Sequence, residues 1–288
     1  MSDTGSGFIT IAPAKLNLFL HVVGRRADGY HMLQSVFVIL DIGDFATRND
    51  GVIQRLSHLP GVKPEDDLVV RAAQLMKREV GNASRQSGLG VDITVEKKLP
   101  MGGGLGGGSS DAASTILVLN RLWDLDFPVR RLRAIGLQLG ADVPFFIFGR
   151  NAFAEGIGEN LFPVELPAWW YVVLTPPVQV STAAVFAHPE LTRDSFPIKI
   201  SDFSANGIGN LRNDLQPVVL KSFPEVSRSF EALQAVSKKS VFGVRMTGSG
   251  ACVFAAFEVE QDAREAFQLL QPEYGGFVAQ GLSRHPFS

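Results

Sequence analysis

Three places in this chain carry residue types that could do chemistry together. The first is Pro100 to Ala113, PMGGGLGGGSSDAA, in which six of the first nine residues are glycine. Glycine lacks a Cβ and tolerates positive φ, so such a run lets successive backbone N–H groups turn inward and approach a ligand closely. The Ser109-Ser110-Asp111 cluster, followed by good helix formers, reads as a helix start. The unpaired N–H groups and positive dipole end of that helix would face whatever the glycines enclose, which suits a nucleotide phosphate. The second place is Lys15, set in the apolar stretch APAKLNLFL. A lysine there is either a surface residue on an edge strand or a cation directed at a phosphate or a reacting group, because an unpaired buried ammonium is costly. The third is Asp142 in LGADVPFF, which is either a turn or cap residue or a carboxylate with chemical work to do.

Local grammar narrows the glycine loop. The P-loop pattern G-x-x-x-x-G-K-[ST] is absent, since no lysine follows these glycines. The dinucleotide pattern G-x-G-x-x-G is met formally by Gly102, Gly104 and Gly107, with Asp124 or Asp126 further on. In so rich a run that match is nearly automatic, and a Pro-Met opening and Ser-Ser-Asp exit fit a dinucleotide fold poorly. A flexible linker is also disfavoured, because the run lies between a predicted strand and a predicted helix.

The loop resembles instead the second signature motif of the GHMP kinases, small-molecule kinases in which it wraps the triphosphate of ATP. The resemblance extends in order from about Ala12 to Phe254. Pro13-Ala14-Lys15-Leu16-Asn17-Leu18 is similar to the first motif, and Thr247-Gly-Ser-Gly250 with Ala251 to Phe254 to the third. By itself that last string could be an ordinary glycine hairpin. Two further strings, Arg26-Ala-Asp-Gly-Tyr30-His31 and Gly140-Ala-Asp142 with AFAEGIGE, resemble one branch of the superfamily. Its substrate is a cytidine-diphosphate ester of a methylated erythritol, on the non-mevalonate route to isoprenoid precursors.

The resemblance implies an α+β fold of two-domain GHMP-kinase architecture with the active site in the cleft between the domains. The expected division is residues 1–161 for the ATP-binding domain and 162–288 for the substrate domain. It implies ATP as co-substrate, with Mg²⁺ accompanying the nucleotide and no dedicated protein metal site. Pro100, Met101, Gly102, Gly103, Gly104, Leu105, Gly106, Gly107, Gly108, Ser109 and Ser110 would hold the triphosphate. Asp142 would be the catalytic aspartate beside Lys15, and Asn17 would contact the substrate. Tyr30 and His31 could be mere packing. They could also offer a stacking face and a hydrogen-bonding edge, which is how a nucleobase is held. By resemblance they read a cytosine, sandwiched with Phe186 of Thr182-Ala-Ala-Val-Phe186. One departure stands out: Asp67 precedes the Leu68 helix where the resemblance leads to an Asn that contacts adenine. The segment Ser195 to Gly209 has no counterpart in the pattern. Rival readings are another GHMP kinase, a kinase-derived binding protein, or a nicotinamide oxidoreductase.

The elements that must position these residues follow from pattern. The chain has 288 residues, 45% of them hydrophobic, enough for a sizeable core in one large or two ordinary domains. A net charge of −2 favours neither nucleic acid nor a membrane surface as the main partner. No apolar run approaches the roughly 18 residues of a membrane span, and MSDTGSGFIT lacks the features of a secretion signal. The expectation is a cytoplasmic protein, monomeric or weakly dimeric. The single Cys252 reads as a small core residue, and the scattered histidines do not suggest a zinc site. Strands are predicted over Phe8 to Val23 with a break at Pro13, and over 36–42, 91–96, 145–148, 170–174, 243–246, 251–257 and 276–279. Helices are predicted over 67–80, 112–123, 129–139 and 262–270. Thr175-Pro176-Pro177 reads as a hinge or crossover. Strands and helices mix without strict alternation, which favours α+β.

Overall fold

The structure is a computed structural model that describes residues 7–49, 52–81, 89–203 and 205–287. Its frame is a long antiparallel hairpin of β1 (Gly7–Arg25) and β2 (His31–Asn49). The turn between them is held by Asp28, whose Oδ1 accepts the Tyr30 N–H, and by the Arg26 N–H donating to the Tyr30 carbonyl. Pro13 does not break the strand as expected. The sheet absorbs it, with the register shifting between Pro13 and Lys15 and twice more further along. An irregularity of this kind re-aims the side chains beyond it.

The chain continues through β3 (Gln54–Arg55), α1 (Leu68–Val80), β4 (Asp92–Glu96), α2 (Gly107–Leu122), α3 (Val129–Leu137) and α4 (Val143–Phe148). It then forms β5 (Ala152–Gly156), β6 (Asn160–Pro163), β7 (Trp170–Leu174), α5 (Thr182–Ala187), α6 (Gln216–Ser222) and α7 (Pro224–Val236). Last come β8 (Val244–Met246), β9 (Val253–Phe257), α8 (Glu260–Leu270) and β10 (Gly276–Leu282). The described strands join in one sheet in the order β3-β4-β2-β10-β7-β9-β8, with β1 and β5 also on β2 and β6 on β5. β10 therefore links the two halves of the chain, pairing with β2 at Gly281 and Leu282 and with β7 along Gly276–Gln280.

One apolar cluster draws its buried members only from 37–161, where α1, α2, α3 and α4 cover β2 and β5. The other two mix both halves, and Cys252 is a buried member of one. Burial pushes the Cys252 thiol up to about 12, as suits a small core residue.

Two element assignments change. The run Phe145–Phe148 is helical rather than extended: α4 has Pro144 in its first turn and closes on Gly149 at φ +71°. Its residues Val143 to Ile147 are all buried, and an apolar run buried on every side carries no period to separate helix from strand. α2 begins five residues earlier than the expected Ala112. Its N-cap is Gly106, in the left-handed conformation at φ +72°, so Ser109, Ser110 and Asp111 lie inside the helix instead of capping it.

Asp67 caps α1 through the Val69 N–H and forms a buried ion pair with Arg55. The segment after Arg193 forms 3₁₀ turns at Ile200–Asp202 and Ala205–Asn210. It is tied down where Ser195 donates to Asp214 and the Ile198 N–H donates to Gln34.

Candidate active site

The glycine loop is fixed through its carbonyl groups. The Cys252 N–H donates to Gly103 at 3.2 Å, the Thr247 hydroxyl to Gly104 at 3.4 Å, and the Lys15 N–H to Leu105 at 3.0 Å. Two glycines here are required by space as well as by φ. A Cβ at Gly104, φ +77°, would stand 2.4 Å from the Thr247 carbonyl oxygen. One at Gly106 would stand 2.9 Å from the Phe146 ring and 3.2 Å from the Lys15 side chain.

Below the loop, Asp44 is fully buried, and its Oδ1 accepts the Lys98 and Leu99 N–H groups at 2.6 and 2.9 Å. Lys97 donates to both Asp44 and Asp111, joining β2 to the N-terminal part of α2. Burial works against the Lys97 charge, but Asp111 and Asp44 outweigh it and hold its pKa above the ordinary value.

Lys15 comes off β1 directly beneath the loop. Its ammonium is buried, donates to Asn17 Oδ1 at 2.6 Å, sits 3.5 Å from Asp142 Oδ2 and lies over the Phe37 ring. Asn17 is held in turn: its amide donates to Ser35, and its backbone N–H donates to the Thr247 hydroxyl at 2.9 Å. Asp142 stands at the N-terminus of α4 without capping it, its side chain 36% exposed. The ammonium is thus fixed from two sides, while the carboxylate keeps a face open to the cleft. That arrangement can orient a hydroxyl, accept its proton and neutralise charge on the reacting oxygen.

These groups share one cleft of about 780 Å³ with the β1–β2 turn and with α5. Gly102, Gly104, Gly106 and Ser109 line one part of it, beside Lys15, Asn17 and Asp142. Tyr30, His31, Thr182 and Phe186 line another. Other loop residues stand back from the opening: the Leu105 side chain is in the core and the Ser110 hydroxyl is buried. Thr182 Oγ1 and Ser249 Oγ lie 2.7 Å apart, which ties α5 to the Thr247–Gly250 turn.

Tyr30 is 62% exposed. His31 stacks on Phe186 with ring centroids 4.9 Å apart. A base inserted between two rings needs about 7 Å, so a base entering this arrangement would lie outside the His31–Phe186 pair rather than within it.

Sequence reasoning missed Arg193, whose Nε donates to His31 Nε2 at 3.2 Å. It missed Ser35, Asp44 and Lys97 as well. Nothing in sequence spacing signals these, since each reaches its partner across the fold.

The glycine-walled cleft on this fold defines a GHMP-type small-molecule kinase. Residues 67–150 match the family described as GHMP kinases N terminal domain, and residues 196–274 match GHMP kinases C terminal. The chain belongs to the 4-diphosphocytidyl-2-C-methyl-D-erythritol kinase family and is a phosphotransferase. It is 56% identical over 278 residues to the kinase of that name from Thiobacillus denitrificans, covering 96% of this chain and 95% of the relative. It is 54% identical over 280 residues to that of Nitrosomonas europaea, covering 96% and 98%. A crystal structure of 4-(cytidine 5'-diphospho)-2C-methyl-D-erythritol kinase superposes with a TM-score of 0.80 at 33% identity, over 95% of this chain and 99% of that one. Homoserine kinase from Cytophaga hutchinsonii, at a TM-score of 0.70 and 16% identity over 99% and 97%, shares the fold.

Proposed function

We propose that this protein transfers the γ-phosphoryl group of ATP to the 2-hydroxyl of 4-diphosphocytidyl-2-C-methyl-D-erythritol, on the non-mevalonate route to isoprenoid precursors. The observation that carries the reading is the single cleft that runs from the glycine loop, Lys15 and Asp142 to Tyr30, His31 and Phe186. One end suits a triphosphate and the other an aromatic base, with an ion pair beside the loop.

Residues 100–110 hold the triphosphate, with the N-terminal amides of α2 and the positive end of its dipole directed at phosphate oxygens. Mg²⁺ would accompany the nucleotide and neutralise charge on its phosphate oxygens. Among the described residues no cluster of three or more His, Cys, Asp or Glu side chains could cage a metal ion. Asn17 holds the Lys15 ammonium and meets the substrate beside it. Asp142 orients the tertiary hydroxyl and takes its proton, while Lys15 offsets the charge that develops on the oxygen or on the transferred group. Tyr30 supplies a stacking face, His31 an edge, and Phe186 and Thr182 close the far wall. Residues 1–161 act as the ATP-binding domain and 162–288 as the substrate domain. Among the described residues no helix is long and apolar enough to cross a membrane. We take the protein to work in the cytoplasm as a monomer or weak homodimer.

Incubation of the purified protein with ATP, Mg²⁺ and the diphosphocytidyl substrate, followed by phosphorus NMR, tests the reading. A new phosphomonoester signal is expected, with CDP competing and homoserine left unmodified. Phosphorylation of homoserine or mevalonate in preference would overturn it.

A further inference from the structure

Arg193 lies outside the phosphate and hydroxyl machinery, yet its guanidinium is the most heavily engaged group at the base end of the cleft. Nη1 donates to the Leu191 carbonyl at 3.1 Å, and Nη2 to the carbonyls of Phe186 and His188 at 2.9 and 2.8 Å. Its Nε–H is spent on His31 Nε2 at 3.2 Å. No carboxylate pairs with Arg193 among the described residues. One side chain therefore links the end of α5, which carries Phe186, to the start of β2, which carries His31.

Guanidinium has donors only, so the ring nitrogen facing it must present a lone pair. A neutral histidine whose Nε2 accepts carries its proton on Nδ1. We infer that Arg193 is a positioning residue for base selection: it holds His31 as the Nδ1–H tautomer, so that the free edge offers a donor to the N3 acceptor of cytosine. Uracil carries a hydrogen at N3 and would meet that donor with another donor. The inference rests on the diphosphocytidyl reading above and adds to it the group that sets the reading edge.

The surroundings agree. Burial, then Arg193 and Arg25, lower the His31 pKa, which keeps the ring neutral near pH 7. The nearby acid Asp28 is paired with Arg26, and Glu190 with Lys221, so neither offsets the two arginines. Without Arg193, the ring is free to carry its proton on Nε2 and turn an acceptor to the base, which meets the uracil N3–H and opposes the lone pair of cytosine N3.

The test uses the full chain labelled with ¹⁵N-histidine, with His31→Gln to identify the His31 signals, and inhibition of the kinase reaction by CDP and UDP. In the wild type, His31 should show a protonated Nδ1 and an unprotonated Nε2, and CDP should compete better than UDP. Arg193→Met should shift the His31 signals toward a tautomer mixture and raise its pKa toward 6.5. It should also cut the CDP-over-UDP preference by about tenfold, with the KM for ATP unchanged. Arg193→Lys, which keeps a charge and a donor, should retain more of the preference than Met does. A wild-type His31 protonated on Nε2, or an Arg193→Met protein with the full preference, would overturn the role of Arg193. If neither CDP nor UDP competes with the wild type, the base-reading site falls and this inference with it, whereas CDP competition with an unmoved ratio removes Arg193 alone.

Discussion

Asp142 and Lys15 differ in how tightly they are held, and that difference fits the roles proposed for them. The ammonium is buried and bonded to Asn17, so it is a fixed positive point. The carboxylate has Lys15 as its one side-chain partner among the described residues and stays partly open to the cleft. Asp142→Asn keeps the shape and removes the base. Turnover should fall by about 10²–10⁴-fold, the usual worth of a general base, with affinities for ATP and substrate within about tenfold. Near-normal kcat would take Asp142 out of the chemistry. Tyr30 is a second case at this scale. It is exposed, so stacking on a bound base would be gained only in the complex. Tyr30→Ala should leave the melting temperature nearly unchanged and raise the substrate KM by about tenfold to a hundredfold, the equivalent of 1–3 kcal/mol of stacking. An altered melting temperature with an unchanged KM would make the residue structural.

The element that matters most is the joint between the glycine loop and α2. Gly106 turns the chain at φ +72° and lets the helix begin at once, and Gly106 and Ser109 line the cleft at this joint. Asp44 and Lys97 fasten the two ends of this joint, one on the backbone before Pro100 and the other on Asp111. Gly106→Val would force a β-branched residue into left-handed backbone, at about 1–3 kcal/mol, and press on Phe146 and Lys15. ATP affinity should drop by about tenfold or more while circular dichroism still reports a folded protein. Unchanged nucleotide affinity in the folded variant would show that the glycines serve packing alone.

Across the whole molecule, β10 and the residues after it close the sheet and connect the two halves of the chain. His285 is part of that closure: its N–H donates to the Gly149 carbonyl, and its Nδ1 accepts the Phe287 N–H. Burial lowers its pKa to about 4. An unfolded histidine takes up a proton near pH 6.5, which the folded ring refuses until about pH 4. Stability should therefore fall as pH drops from 6.5 to 4, by up to about 3 kcal/mol from this residue, and the loss from it should level off below that window. His21, lowered chiefly by burial, acts in the same direction. Urea denaturation across pH 4–7 should show a shallower slope for His285→Gln than for the wild type. Equal slopes would exclude the residue as the source.

What the sequence determined by itself was whatever is written in contiguous residues. The glycine run was legible because close backbone approach needs glycines next to one another, whereas Pro13 to Leu18, Gly140 to Phe146 and Thr247 to Phe254 were legible as contiguous strings that resemble the GHMP kinases. The α1 helix was legible too, from its spacing and from Gly81 at its end. The tertiary structure decided what depends on partners far apart in the chain. It made Phe145–Phe148 a helix, because a run buried on all sides has no face to read. It moved the start of α2 to Gly107, because Asp111 was drawn inward to Lys97 instead of capping. It placed His31 against Phe186, 155 positions away in the numbering, and set Arg193 on its other edge. Hydrogen-bond donors and ring faces act within a few ångströms of space, and only the folded chain brings such residues within that range.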